Sequence, residues 1–138
     1  MPTDFLDAHE RHWQDAELLL ANQRWANADH LYGMAAECGL KRLMLMFGMP
    51  YGSKGDYPDI RDDKSHVDKV WDRYETYRSQ HHQGSSYLLP NANPFSSWRA
   101  EQRYERRSQF TDTQARLLRA GTEEVRKLLK KAEREGLI

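Results

Sequence analysis

The chain has 138 residues, 38% of them hydrophobic and 30% charged, and its 21 basic and 21 acidic side chains cancel. That length supports one hydrophobic core, so a single domain over 1–138 is expected rather than two. The lone cysteine, Cys38, excludes a disulfide framework and a thiolate metal cluster.

No run reaches the roughly 18 apolar residues of a membrane span, and the N-terminus MPTDFLDAHERH is charged from the start. A cytoplasmic protein with no membrane attachment is the expectation. Charge is unevenly spread: residues 1–60 hold nine acids against five Lys or Arg, whereas 98–138 hold eleven Lys or Arg against seven acids. Such polarity can orient a dimer or aim the basic end at phosphate, although a solvated basic helix face is its commoner cause.

Asp4 to Ala21 reads as a first helix, with Thr3 or Asp4 as its cap and Phe5, His9, Trp13, Ala16 and Leu20 on one face. His9 and His12 are read as surface or flanking histidines. After a short connection at Asn22–Arg24, a second helix carries Ala28, Leu31, Tyr32, Ala35, Ala36, Leu40, Leu43, Met46 and Phe47 at helical spacing, a stripe wide enough to sit at the centre of a bundle. Glu37 falls inside that stripe. A carboxylate there needs a cationic or hydrogen-bonding partner, because an unpaired buried charge costs several kcal/mol; Lys41, four residues on, supplies part of it.

Gly48, Pro50 and Gly52 end the second helix, and MPYGSKGDYPDIRDDK is a loop whose SKG lacks the spacing of a phosphate-binding loop. A third helix is expected from Ser65 to Ser79, with Val67, Val70, Trp71, Tyr74 and Tyr77 buried and Ser65 or Asp63 as cap. Gln80 to Ser97 is a long irregular loop, broken by Gly84 and two prolines, with Tyr87, Leu88 and Leu89 returning it to the core. The adjacent His81 and His82 point in different directions on a helix and make no metal pair. The last helix is expected from about Ser108 to Arg134, with Phe110, Leu117, Gly121, Val125, Leu128 and Ala132 inward and a bend at Gly121–Thr122. The fold class is therefore all-α, an antiparallel up-and-down bundle of four main helices.

Three segments carry a family resemblance. Ala28, His30, Leu31, Gly33, Ala35, Ala36, Glu37, Cys38, Leu40 and Lys41 form "A-x-H-L-x-G-x-A-A-E-C-x-L-K", which resembles the second helix of HEPN domains, the higher-eukaryote and prokaryote nucleotide-binding family. "S-H-V-D-K-V-W" from Ser65 is similar to the histidine-led start of their third helix. "W-R-x-E-Q-R-Y" at Trp98–Tyr104 is like the segment before their final helix. The resemblance implies a small helical bundle, commonly a homodimer, that binds a nucleotide, RNA or a nucleotidyltransferase partner, at times within a toxin–antitoxin or defence system.

Many HEPN proteins are metal-independent endoribonucleases with an arginine and a histidine separated by about four to six residues near the start of the last helix. RNA brings its own nucleophile, the 2′-hydroxyl; a histidine moves its proton and an arginine steadies the phosphate charge. This chain departs from that motif, since its last histidine is His82. Arg61 and His66 keep the spacing across a loop and helix start, while Arg24 and His30 keep it within a packing helix and read as structural. The candidate catalytic residues are His66 with Arg61 or Arg103. The candidate ligand or phosphate residues are Glu37, Arg99, Arg103, Tyr104, Arg106 and Arg107, with Glu37, His66, Arg103 and Tyr104 expected to converge. No cofactor or metal is implied. A buried polar clasp with no ligand, in a purely structural dimer, is the competing reading.

Overall fold

The structure is a computed structural model and describes residues 2–138. Its four helices are α1 (Phe5–Ala21), α2 (Trp25–Met46), α3 (Val67–Ser79) and α4 (Asp112–Arg134). Among the described residues the only β feature is an isolated bridge between Tyr51 and Pro58. The all-α expectation holds, and α2 is its axis, packing against each of the other three helices.

Asp4 starts α1 by accepting a hydrogen bond from the Asp7 amide at 3.0 Å. At its other end Gln23 takes a left-handed backbone, φ 60°, which turns the chain directly into α2. Along α2, Ala28, Tyr32, Ala35, Ala36, Leu40, Leu43 and Met44 are buried. Two glycines let neighbours approach that helix closely. A Cβ on Gly33 would lie 2.1 Å from Trp98 Nε1, and one on Gly39 would lie 2.7 Å from Val125 and 2.9 Å from His9.

Val67, Val70, Trp71, Tyr74 and Tyr77 are all buried along α3, as their spacing requires. Its cap differs from expectation. His66 occupies the N-cap position with no side-chain bond, and Asp63 instead turns inward, fully buried, to accept from Tyr77 Oη and from Arg73 Nε at 2.7 Å. A carboxylate offered two strong donors is better satisfied there than at a helix start.

The segment from Gln80 to Phe110 is irregular but pinned. Tyr87, Phe95 and Trp98 are at most 2% exposed, and Tyr74 Oη donates to the Tyr87 carbonyl at 2.8 Å. Leu88, expected to face inward, is 62% exposed; the two neighbours of a deeply inserted side chain point elsewhere. Short 3-10 turns at Ala100–Tyr104 and Arg107–Gln109 delay α4, which begins at Asp112 with Thr111 Oγ1 accepting from the Gln114 amide.

The inward face of α4 is Ala115, Leu118, Gly121, Thr122, Val125, Leu129 and Ala132. It is offset from the expected face, leaving Leu117 56% exposed and Leu128 only partly covered. The reason is Thr122, whose hydroxyl lies 3.0 Å from the Tyr32 carbonyl and 2.9 Å from the Leu118 carbonyl, so this polar residue is accommodated on the buried side. The helix runs unbroken through Gly121, where Pro94 and Phe95 fill the space a side chain would need. His9 is a further correction: it is 1% exposed, with Nδ1 2.7 Å from the Ala35 carbonyl and Nε2 3.1 Å from Arg126.

Candidate functional site

Glu37 lies midway along α2 and is 6% exposed. One carboxylate oxygen accepts from Lys41 Nζ at 3.2 Å and the other lies 3.1 Å from His66 Nδ1. Lys41 is itself buried, so its four-residue separation from Glu37 produces a contact sheltered from water. His66 is different: its side chain is 54% exposed. The imidazole thus joins a buried carboxylate to the surface. Its hydrogen bond to Glu37 is the main influence raising its pKa above the ordinary histidine value, with burial working in the opposite direction. In the neutral ring, a proton on Nδ1 directed at Glu37 leaves Nε2 as the basic nitrogen.

Beside His66, a small cleft of about 250 Å³ is lined by Ser65, Asp68, Lys69, Arg99, Ala100 and Glu101 as well as the imidazole. Lys69 and Arg99 bring two positive charges that Asp68 and Glu101 formally balance, so the protonation of His66 sets the sign of the cleft. Arg99 Nη1 stands 3.6 Å from Asp68 Oδ2 with most of its side chain exposed, a loose surface pair of small energetic value. Lys69, absent from the candidates drawn from the sequence, follows His66 by three residues on one helical turn, and that spacing is the signal for it.

An aromatic pair lies behind the imidazole, Trp98 buried and His30 half-buried. Trp98 stacks on His30, with ring centroids 5.0 Å apart and planes 18° apart, and lies 5.9 Å from the His66 ring. Neither Trp98 Nε1 nor His30 Nδ1 has a hydrogen-bond partner among the described residues. Burial lowers the pKa of His30, helped by the positive charge of Arg103, while Glu37 opposes the shift. A second polar contact lies further along the same segment: Gln102 Nε2 donates to Asp29 Oδ1 at 2.6 Å, and the Arg99 amide donates to Gln102 Oε1 at 3.1 Å. Burial raises the Asp29 pKa to about 6; Glu105 adds to the rise and the Gln102 hydrogen bond limits it. Gln102 and Trp98, rather than the neighbouring arginines, are the residues that fasten this segment to α2.

The expected convergence is therefore partial. Glu37 and His66 meet, whereas Arg103 and Tyr104 face outward, with the Arg103 guanidinium 5.0 Å above the Tyr104 ring and Tyr104 78% exposed. Arg103 and Arg107 line a separate hollow beside the α1–α2 turn, and Arg106 is exposed at the start of the following 3-10 turn. Arg61 lines a third hollow, with Lys64, Lys69 and Arg73. Neither of the arginines considered as partners of His66 lines the His66 cleft. Arg99 does. Among the described residues no group of three or more His, Cys, Asp or Glu side chains is arranged to hold a metal ion, and no helix is long and apolar enough to cross a membrane.

Chemically, the arrangement offers an imidazole held against a carboxylate with an ammonium and a guanidinium lining the same cleft, a set able to meet an anionic ligand and to move one proton. No family model, curated protein or solved structure matches this chain.

Proposed function

We propose that the protein is a HEPN-like module that binds RNA or a nucleotide through the His66 cleft, acting as a homodimer in the cytoplasm and pairing with a nucleotidyltransferase-type protein in a toxin–antitoxin or defence setting. The observation that carries the reading is the Glu37–His66 contact. It joins two of the segments on which the resemblance rests, and the third supplies Trp98 against the His66 ring and Arg99 beside it. Because Glu37 favours the protonated ring, His66 joins its positive charge to those of Lys69 and Arg99 more readily than an isolated histidine does.

Binding of a fluorescent single-stranded hexanucleotide tests this. Affinity should fall with salt, as phosphate contacts require, and His66→Gln and Arg99→Gln should each weaken it by about tenfold, near the value of one charge-assisted contact. Affinity indifferent to both changes, in proteins that melt like the wild type, refutes the His66 cleft as the site.

The same contact supports a second reading, a metal-independent ribonuclease. A carboxylate that orients an imidazole leaves Nε2 able to take the 2′-hydroxyl proton, with Arg99 nearer to hand for the phosphate than Arg61 or Arg103. Cleavage of RNA in the presence of a chelator, abolished by His66→Ala in a folded protein, is its expected result. Intact RNA at high protein concentration removes it.

A further inference from the structure

A larger hollow, about 670 Å³, lies between the α1–α2 turn and the 3-10 turns that precede α4. Arg24, Arg103 and Arg107 line it against one carboxylate, Glu105, and Trp25 and Phe110 add aromatic surface. Its volume falls within the range of small-molecule sites. The three arginines of the hollow belong to the arginines of this chain that hold no carboxylate. Arg73, Arg116, Arg119 and Arg126 each hold a carboxylate at 2.6–2.9 Å, whereas none of these three has an ion-pair partner among the described residues, and neither has Glu105.

Like charges brought to one hollow repel, and their forked donors match an anion that accepts two hydrogen bonds at once, phosphate above all. The aromatic groups narrow the choice. Trp25 is 36% exposed at the edge of the hollow, and just outside it Tyr104 carries the Arg103 guanidinium on its ring. A flat base beside the phosphate uses that surface by stacking; a bare inorganic anion leaves it unused.

We propose that this hollow binds a phosphate carried on an aromatic base, the unit common to a free nucleotide and a single-stranded RNA chain, through Arg24, Arg103 and Arg107. The site is separate from the His66 cleft and stands on its own residues whether or not that cleft binds anything.

Titration with AMP, adenosine, inorganic phosphate and a single-stranded hexanucleotide, followed by affinity and by amide and indole NMR shifts, tests it. AMP should bind at least tenfold more tightly than adenosine or phosphate, moving the Trp25 indole and the Asn27 and Ser108 amides. The double change Arg24→Gln with Arg107→Gln should weaken it tenfold or more, and Lys127→Gln should leave it unchanged. Arg103→Gln alone serves if the double variant melts abnormally. Equal affinity for AMP and the hexanucleotide assigns the free nucleotide as ligand; a tighter hexanucleotide with the same arginine dependence assigns the chain, and both uphold the site. Shifts confined to Ser65–Lys69 overturn it while leaving the His66 reading intact, and shifts confined to the hollow do the reverse. AMP no better than inorganic phosphate, or no binding of either AMP or hexanucleotide, also overturns it.

Discussion

Replacing Asp29 by asparagine exchanges one carboxylate oxygen for an amide nitrogen in a side chain that is 3% exposed. The amide oxygen can still accept from Gln102 Nε2, as Oδ1 does at 2.6 Å. What changes is the cost of ionisation. Burial raises the folded-state pKa from an ordinary 3.8 to about 6, so the folded chain holds this proton while the unfolded chain has already released it. Stability therefore falls as pH rises from about 4 to about 6, and the penalty is fully present above that window. Two pKa units correspond to about 3 kcal/mol; the new amide's own unmet donors return part of that. Asp29→Asn should thus gain about 1–2 kcal/mol over the wild type at pH 7.5 and nothing, or a small loss, at pH 4. Urea unfolding at several pH values measures it. A difference between the two proteins that is the same at pH 4 and pH 7.5 refutes the reasoning, and so does a loss that grows with pH.

Three further perturbations probe the packing. Gly33→Ala drives a methyl into Trp98 and should cost about 1–3 kcal/mol, with the Trp98 ring loosened from His30 and its indole resonance shifted; an unaffected melting temperature contradicts the close approach. Leu118→Ala should cost about 2–4 kcal/mol and Leu117→Ala under about 0.5 kcal/mol, so equal losses on unfolding place the wrong face of α4 inward. For His9, burial lowers the pKa, with the Ala35 carbonyl opposing and Arg126 adding to the fall. The neutral ring contributes stability above the ordinary histidine value, and that contribution is lost as pH drops through the lowered folded value. An NMR titration should find His9 titrating below the ordinary histidine value of about 6.5, and a His9 that titrates at or above it contradicts this.

The parts of this fold that were legible in the sequence are those where periodicity alone decides. The α2 and α3 stripes are such cases, because every apolar residue at the right spacing had a neighbour to pack on. Glu37 was legible for a different reason: a single carboxylate in an apolar stripe demands partners, and Lys41 and His66 are both present. The α4 face was misjudged because Leu117 and Leu118 are adjacent and equally apolar, and only the tertiary contact of Thr122 with the Tyr32 carbonyl selects between them. His9 was misjudged because a charged surrounding sequence hides a ring that turns inward to Ala35. The arginine-rich segment before α4 resisted reading most. Its anchors are Trp98 and Gln102, and which elements Arg99, Arg103 and Arg107 face depends on the 3-10 turns, which have no periodic signature to read.

The proposed function of the His66 cleft rests on Glu37 holding the imidazole at the surface. An NMR pH titration of the His66 ring in the wild type and in Glu37→Gln measures this directly. The wild-type ring should titrate above the ordinary value of about 6.5, and removing the carboxylate should lower it. A His66 that titrates at or below that value, or that is indifferent to the loss of Glu37, contradicts the account.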